Sequence, residues 1–253
     1  MEYFNLSGKV AILTGGNRGI GFSIAKGMAG AGADVIIANR KAAEGQNAAD
    51  AIKKEGLKAA AVPVDVTSIP SIHDMVSKVI KDFGKIDILV NCAAVITRKP
   101  AEEYPEEEWD RLMNTNLKGV FYCCQAVGRE MIKNKKGKII NVSSNISARV
   151  QIIRAAYAAS KAGLNHLTRS LAYEWGKYNI NVNVLAPTVT ITDINRKYFT
   201  EEHPEELQKY IEQTPMGRIA EPDDYIGTAI YLASDASNFV TGQVIFVDGG
   251  ITL

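Results

Sequence analysis

The chain of 253 residues is poor in the side chains that ligate metals, with only three cysteines and three histidines. Cys92, Cys123 and Cys124 form no CxxC pair and have no histidine at zinc-ligand spacing, so we expect free core thiols, no disulfide and no metal. The sequence also lacks the GxSxG turn of α/β hydrolases and the glycine-lysine-serine/threonine end of a Walker A loop. These absences argue against hydrolase and P-loop chemistry.

The sequence also lacks an excess of charge of one sign and long apolar runs. The 29 Lys and Arg residues face 28 Asp and Glu residues, a net charge of +1, so the basic excess that drives nucleic-acid binding is absent. No apolar run approaches the roughly 20 residues that span a bilayer, and the first residues do not have the pattern of a secretory signal. We expect a cytoplasmic protein that binds neither nucleic acid nor membrane.

Apolar, β-branched runs alternate with amphipathic stretches along the chain, which is typical of βαβ units. Strands are predicted at 10–14, 34–39, 58–64, 86–91, 137–142, 180–186 and 244–248. Helices are predicted at 20–30, 42–55, 69–83, 106–133, 156–178 and 222–234. Because the strand runs are continuously apolar, both faces of the sheet should be covered. The expected fold is α/β: one doubly wound, Rossmann-like domain over residues 1–253 with seven parallel strands, and a substrate lid at about 188–217.

A glycine-rich turn, TGGNRGIG at residues 14–21, joins the first strand to the first helix. Such glycines let a pyrophosphate approach the helix N-terminus, so the turn predicts dinucleotide binding. At the tip of the second strand, where NAD enzymes usually carry a carboxylate, the chain has Asn39 and Arg40. Arg18 and Arg40 together would flank a 2′-phosphate, which favours NADP(H) over NAD(H). The alternative is that Arg40 is a solvated residue.

Tyr157 and Lys161 lie four residues apart and therefore on one helical face. A fixed ammonium group next to a tyrosine stabilises its phenolate, so the pair can exchange a proton. This spacing is common on solvated helices, and its meaning depends on its companions, Ser144 after the fifth strand and Asn116 in the helix after the fourth.

With these companions the chain resembles the short-chain dehydrogenase/reductase family over essentially all its length. The motifs are TGxxxGxG at 14–21, Asp65-Val66, Asn91-Cys92-Ala93-Ala94, Asn116, Ser144, Tyr157 with Lys161, and Pro187 followed by Thr192. The resemblance implies that Tyr157 exchanges a proton with the substrate oxygen and that Ser144 hydrogen-bonds this oxygen. It also implies that Lys161 binds the nicotinamide ribose and lowers the Tyr157 pKa, and that Asn116 anchors a water.

The resemblance further implies a cofactor site along the carboxyl edge of the sheet. Its expected residues are Gly15, Asn17, Arg18, Gly19, Ile20, Gly21, Asn39, Arg40, Asp65, Val66, Asn91, Ala93, Tyr157, Lys161, Pro187, Thr190 and Thr192. The chain departs from the family pattern at Ala94 and Thr188, where glycine is usual. These substitutions cost little if φ is negative at both positions.

The substrate is less defined by the sequence. Residues 94–100, 157–164 and 232–240 look most like gluconate 5-dehydrogenases and 2-deoxygluconate 3-dehydrogenases. We therefore predict interconversion of a secondary alcohol and a ketone on a sugar acid, with Arg98, Arg149 and Arg154 beside Ser144 and Tyr157 as substrate contacts. The alternatives are solvated arginines, a 3-oxoacyl-thioester or other small-ketone reductase, and a non-catalytic dinucleotide sensor.

Two long predicted helices carry wide apolar faces. These faces contain Val120, Phe121, Cys124 and Val127, and then Leu164, Leu167, Leu171 and Trp175. The family resemblance implies that part of this surface joins subunits in a homodimer or homotetramer. The alternative is that the faces only pack into the core.

Overall fold

The computed structural model describes residues 2–192 and 195–253. Its strands are β1 Val10–Thr14, β2 Asp34–Asn39, β3 Ala59–Pro63, β4 Ile88–Asn91, β5 Gly137–Val142, β6 Ile180–Pro187 and β7 Val244–Val247. All neighbouring strands are parallel, in the order β3-β2-β1-β4-β5-β6-β7. The predicted seven-stranded parallel sheet is confirmed, with strand ends shifted by one or two residues.

The strand order reverses direction at β1. From β1 the chain continues to β2 and β3 on one side, and then crosses to β4 on the other. Thr14, the last residue of β1, is in register with Ala38 of β2 and Asn91 of β4. The connections that follow β1 and β4 therefore diverge at the carboxyl edge of the sheet, which leaves a crevice there.

Eight helices lie between or beside the strands in the described part of the chain. They are α1 Gly19–Gly30, α2 Ala42–Lys54, α3 Ile69–Phe83, α4 Glu106–Met113, α5 Gly119–Asn134, α6 Ala155–Trp175, α7 Pro204–Gln213 and α8 Ile226–Ala233. None of them is long and apolar enough to cross a membrane. A hydrophobic core cluster lies on each face of the sheet. Helices α3, α5 and α6 pack on one face, and α1, α2 and α8 pack on the other.

Three helix predictions need correction. The helix expected at 106–133 is interrupted by a π-helical turn, Asn114–Lys118, which separates α4 from α5. The helix expected at 222–234 begins with the 3₁₀ turn Pro222–Tyr225, and the one expected at 156–178 ends in the 3₁₀ turn Gly176–Tyr178. In each case the periodic pattern of apolar residues continues from one type of helix into the next. The pattern therefore does not show where the α-helix begins or ends.

The segment at 188–217, which we predicted to be a substrate lid, contains helix. Residues Tyr198–Glu202 form a π-helical turn, and α7 follows, with Pro204 in its first turn. Proline is favoured there because its missing N–H would have no helical partner. Residues 193 and 194 of the lid prediction lie outside the described residues.

Most of the apolar faces of α5 and α6 belong to the core. Val120, Cys124 and Val127 on α5, with Leu164 and Leu171 on α6, are buried in the same cluster. Phe121 and Leu167 instead remain partly exposed. The surface left for a partner subunit is therefore narrower than the sequence pattern predicts.

Candidate active site

The glycine turn after β1 brings two backbone segments into close contact. Gly15 has a φ of 70°, and a Cβ at this position would lie 2.8 Å from the Ala93 backbone, so no larger residue fits. Gly19, the first residue of α1, also has a positive φ, of 54°. The helix begins without a side-chain cap on its amides. Its N-terminus is therefore available to an anion at the crevice.

A cleft of about 440 Å³ runs from this turn along the carboxyl edge of the sheet. Twelve of the predicted cofactor residues line it: Gly15, Asn17, Arg18, Gly19, Ile20, Gly21, Asn39, Arg40, Asp65, Val66, Ala93 and Thr192. The cleft has the size expected for a cofactor site. An exposed helix N-terminus, a glycine cradle and flanking guanidinium groups form a donor set that fits a nicotinamide dinucleotide.

Other predicted cofactor residues lie behind this surface. The Asn91 side chain is buried, and its Nδ2 donates to Asn141 Oδ1 at 2.9 Å. The Thr190 hydroxyl shares a 2.6 Å hydrogen bond with the buried Tyr225 hydroxyl. Pro187 is the last residue of β6. The side chains of Asn91 and Thr190 therefore stabilise the floor of the site from inside and do not line the cleft.

The adenosine end of the cleft contains charges of both signs. Burial would raise the Asp65 pKa, but hydrogen bonds from Thr67 and the nearby Arg40 hold it below its ordinary value. Glu44 on α2 also lines the cleft, and the sequence analysis missed it. Its carboxylate accepts from Lys41 Nζ at 2.7 Å and from Asn17 Nδ2 at 3.1 Å. The Lys41 hydrogen bond lowers the Glu44 pKa, with a smaller effect of Arg18.

Tyr157 and Lys161 share one face of α6, as predicted, and the Lys161 ammonium lies 5.7 Å from the centre of the Tyr157 ring. Lys161 is 3% exposed, and its Nζ donates to the Val142 carbonyl at 2.8 Å. Burial raises the Tyr157 pKa to about 12, while a hydrogen bond from Ser144 and the charge of Arg154 lower it. The net shift is opposite to the expected lowering, and Lys161 is not among its causes.

Burial also lowers the Lys161 pKa, to about 8, an effect that Cys92 opposes. The Cys92 thiol lines the cleft, and burial raises its pKa to about 11. It is therefore a neutral thiol at neutral pH. All three cysteines are free, in agreement with the sequence analysis.

Asn116 occupies the π-helical turn between α4 and α5. Its Oδ1 accepts from Val95 N at 2.9 Å, and its Nδ2 donates to the Val95 carbonyl at 2.9 Å and to Ser160 Oγ at 3.3 Å. The side chain is fully buried. Its side chain therefore fixes the loop after β4.

Ser144 follows β5 at the start of a 3₁₀ turn. Its hydroxyl accepts from Ile146 N at 3.3 Å, and its carbonyl accepts from Ser147 Oγ at 2.6 Å. These bonds fix the loop that brings Ser144 to Tyr157. The neighbouring Asn145 donates to Thr188 Oγ1 at 3.0 Å.

The two departures from the family pattern fit the backbone without strain. Among the described non-glycine residues only Lys135, Ile153 and Asn179 have positive φ, so Ala94 and Thr188 do not need glycine. The Thr188 hydroxyl also has a partner in Asn145. Both substitutions are therefore compatible with the site geometry.

A second cavity, of about 400 Å³, brings the three predicted substrate arginines together. Arg98, Arg149 and Arg154 all line it, with Tyr198, Glu206, Lys209, Tyr210 and Gln213 of the lid segment. Arg98 stacks on the Tyr198 ring at 4.9 Å, and Arg149 Nη2 donates to Gln213 Oε1 at 2.7 Å. Sequence alone did not indicate the contribution of α7 to this pocket.

The backbone joins the two loops that carry these arginines. Lys99 N donates to the Ile153 carbonyl at 3.2 Å. Ile153 has a φ of 55°. A positive φ is uncommon for a β-branched residue, and such strained residues cluster at functional sites. The arginine-bearing loops are thus held beside the N-terminus of α6, one turn from Tyr157.

Comparison with known proteins agrees with this architecture. The family model described as enoyl-(acyl carrier protein) reductase matches residues 15–252. Gluconate 5-dehydrogenase of Gluconobacter oxydans is 40% identical over 252 residues, which cover 100% of this chain and 98% of that protein. NAD-dependent glycerol dehydrogenase of Listeria innocua is 39% identical over 250 residues, covering 99% of this chain and 96% of that protein.

Among solved structures, a gluconate 5-dehydrogenase from Burkholderia cenocepacia in complex with NADP and tartrate superposes with a TM-score of 0.95. It is 38% identical, and the match covers 99% of this chain and 98% of that one. Both the sequence and the fold are therefore shared over nearly the whole length. The chain belongs to the short-chain dehydrogenase/reductase family, enzymes that use a nicotinamide dinucleotide as cofactor.

Proposed function

We propose that the protein is an NADP(H)-dependent oxidoreductase that interconverts a secondary alcohol and a ketone on a sugar acid. The observation that carries this proposal is the arginine-lined pocket, to which Tyr157 is linked through Arg154, whose charge lowers the Tyr157 pKa. Two of its arginines, Arg149 and Arg154, each have a buried guanidinium Nη1 without a hydrogen-bond partner within the described residues. A substrate carboxylate would supply the missing acceptors, because guanidinium and carboxylate groups match in geometry and charge.

The protein residues supply the proton chemistry of this reaction. A hydrogen bond from Ser144 lowers the Tyr157 pKa, and both hydroxyls would hydrogen-bond one substrate oxygen. During reduction Tyr157 would donate its proton to that oxygen, and during oxidation it would accept one. Lys161, whose ammonium lies 5.7 Å from the centre of the Tyr157 ring, would bind the nicotinamide ribose. A bound nicotinamide supplies or accepts the hydride at the substrate carbon.

The preference for NADP(H) is supported by the charges at the adenosine end of the cleft. Arg18, Arg40 and Lys41 line this end, and Glu44 is engaged by Lys41 and Asn17. A 2′-phosphate would therefore meet an excess of positive charge. The relatives differ in this respect: one solved structure contains NADP, whereas the glycerol dehydrogenase is named as NAD-dependent.

The sugar-acid substrate is favoured by the relatives and by the pocket together. Several relatives are named for gluconate or a keto-gluconate. A neutral ketone would have no partner for three adjoining arginines. We also propose that residues 188–217 form the lid over this substrate, because α7 supplies four residues of the pocket wall.

The test is a steady-state comparison of substrates with the purified protein and both cofactors. We expect turnover of gluconate or 5-keto-gluconate with NADP(H), and weak turnover of neutral ketones and 3-oxoacyl thioesters. Efficient reduction of neutral ketones but not of sugar acids would refute the substrate proposal and leave the oxidoreductase in place. Cofactor binding without turnover of any class would favour the dinucleotide sensor instead.

Two further properties complete the proposal. We expect a homo-oligomer, a dimer or tetramer, that uses the partly exposed apolar groove between α5 and α6. A cytoplasmic location is supported by three free thiols, which persist in a reducing compartment.

A further inference from the structure

The arginine pocket carries more positive charge than a single carboxylate would neutralise. Its wall contains four cationic side chains, Arg98, Arg149, Arg154 and Lys209, and one carboxylate, Glu206. The loop after β4, the loop before α6 and the lid helix α7 each supply at least one of these cations. The charge is therefore gathered from three separate parts of the chain.

Glu206 offsets only one of these four positive charges, so the pocket wall keeps an excess of positive charge. Both of its carboxylate oxygens accept from the Tyr198 hydroxyl, at 3.1 Å each. Within residues 2–192 and 195–253, no ion pair joins Arg98, Arg149 or Arg154 to a carboxylate. Among these residues, the three guanidinium groups thus line the pocket without a direct ion-pair partner.

Some guanidinium N–H donors of the pocket also lack a hydrogen-bond acceptor. Arg149 directs Nη2 to Gln213, but its Nη1 is buried without a partner, as is Nη1 of Arg154. A buried guanidinium N–H without an acceptor is costly, so the pocket favours a ligand rich in oxygen acceptors. Burial and then the charge of Arg98 lower the Arg154 pKa, which indicates that the cations repel one another.

A carboxylate carries one negative charge and pairs fully with one guanidinium group. A phosphate monoester carries nearly two charges and three acceptor oxygens. Resting on the function proposed above, we propose that this pocket selects substrates with two negative charges: a sugar acid that also bears a phosphate ester or a second carboxylate. Both sources share the same chemistry, a doubly charged oxyanion, and the experiment separates them.

The test compares four polyols of equal carbon number that differ in charge: neutral glucitol, the monoanion gluconate, the dicarboxylate glucarate and 6-phosphogluconate. With NADP(H), kcat/KM for at least one dianion should exceed that for gluconate by about tenfold or more, the effect of one additional charge-assisted contact. Whichever dianion leads identifies the second charged group. Values for gluconate that equal or exceed those for both dianions overturn the proposal.

Arg154→Gln and Arg149→Gln should each reduce the preference for the dianion over gluconate, mainly by raising KM for the dianion. Arg169→Gln is the matched control, because Arg169 is an exposed residue of α6 that does not line the pocket. An unchanged preference in both pocket variants would overturn the proposal. If these variants fold poorly, a salt series on the wild-type protein replaces them: KM for the dianion should rise more steeply with ionic strength than KM for gluconate.

Equilibrium binding separates this inference from the proposed function. Calorimetric titration of the NADPH-loaded protein measures the affinity for gluconate, glucarate and 6-phosphogluconate without turnover, because the reduced cofactor cannot accept a hydride from these alcohols. Tighter binding of a dianion in the absence of activity would refute the proposed function and support the inference. Turnover of sugar acids with equal affinity for all three compounds would support the function and overturn the inference.

Discussion

The Asn116 side chain pairs with both backbone polar groups of Val95, accepting from its N–H and donating to its carbonyl at 2.9 Å each. This arrangement resembles the pairing of two adjacent strands, although it joins a helix to a loop. It is possible because the π-helical turn Asn114–Lys118 directs the residue toward the loop after β4. The cofactor cleft depends on that loop, since Ala93, Ala94 and Val95 line it.

Asn116→Ala should therefore destabilise the protein and loosen the cofactor site. Loss of the paired bonds leaves partly buried backbone groups of Val95 without these partners, at a cost of about 1 kcal/mol in the free energy of unfolding. We expect kcat/KM to fall by about tenfold or more, because small displacements of reacting groups reduce rates strongly.

Asn181→Ala is the control for this prediction. Asn181 Nδ2 donates to the carbonyls of Asn238 and Val240 at 3.0 Å each, near the opposite edge of the sheet. This variant should lose similar stability in denaturant titrations but keep the wild-type KM for cofactor. Equal KM values in both variants would show that the Val95 contact does not position the site.

The cofactor preference gives a second prediction. Arg40→Ala should weaken NADP(H) binding by roughly 10- to 150-fold, the loss of one charge-assisted contact of about 1.5–3 kcal/mol, and leave NAD(H) nearly unchanged. Fluorescence titration with both reduced cofactors measures the two affinities. Equal losses for both cofactors, or a wild-type preference for NAD(H), would contradict the assignment of Arg40 to a 2′-phosphate.

Glu44 provides a test of the opposite sign. Its carboxylate lines the same cleft and would repel a 2′-phosphate. Glu44→Gln should strengthen NADP(H) binding by roughly two- to fivefold, the small effect expected for an exposed charge, and leave NAD(H) unchanged. Gln46→Glu, on the same helix but outside the cleft, is the control. Weaker NADP(H) binding in Glu44→Gln would mean that the carboxylate serves the cofactor by positioning Lys41.

How much of this site the sequence predicted depends on how local each feature is. The strands were predictable because runs such as those of β1 and β2 are buried on both faces and therefore apolar through their central residues. The glycine turn and the Tyr157–Lys161 spacing are also local, and the structure places them at the carboxyl edge as expected. The π-helical turn was missed because it does not change the apolar periodicity around Asn116.

Contacts between distant segments were harder to predict. Arg98 meets Tyr198 across 100 residues, and Arg149 meets Gln213 across 64. Helix α7 was missed because its first residue, Pro204, and the nearby Pro215 are typical of irregular segments, although proline also begins helices. The sequence identified the three arginines but not the lid residues Glu206, Lys209 and Gln213 that complete their pocket.

Tyr157→Phe tests the proton transfer directly. The change removes one oxygen and keeps the ring, so turnover should fall by about 100-fold or more while cofactor affinity is retained. Tyr173→Phe on the same helix, at a position 92% exposed, should have wild-type activity. Turnover near the wild-type rate in Tyr157→Phe would leave the proposed chemistry without its acid and base.

The two buried lysines predict how stability varies with pH. Burial lowers the pKa of Lys161 to about 8, below the ordinary value of 10.5, so at pH 8 to 10.5 the unfolded chain binds more protons than the folded one. The penalty for the buried charge is complete below pH 8 and fades as the pH rises. Wild type should therefore gain stability relative to Lys161→Met across this window, by about 1.4 kcal/mol for each unit of pKa shift.

Lys138→Met is the matched variant for this experiment. Burial also lowers the Lys138 pKa to about 8, and Lys138 lies in β5, where its Nζ donates to Ser237 Oγ at 3.2 Å. Denaturant titrations at several pH values should give both variants the same direction of change relative to wild type. Only Lys161→Met should also lose activity, and a flat difference between wild type and Lys161→Met would contradict the lowered pKa.

The last prediction concerns subunit association. The groove between α5 and α6 has a volume of about 610 Å³, and its apolar residues include Leu117, Phe121, Tyr122 and Leu167. The buried parts of both helices already serve the core, so a partner subunit would cover only this remaining strip.

Phe121→Glu would place a charge in the contact, where it loses hydration without gaining a partner. Light scattering after gel filtration should give a multiple of the monomer mass for wild type and a lower mass for Phe121→Glu. Ala51→Glu, at an exposed position of α2 on the opposite face of the sheet, should behave like wild type. If the wild-type protein is monomeric at the assay concentration, the predicted interface is wrong. The partly exposed Phe121 ring then requires another explanation.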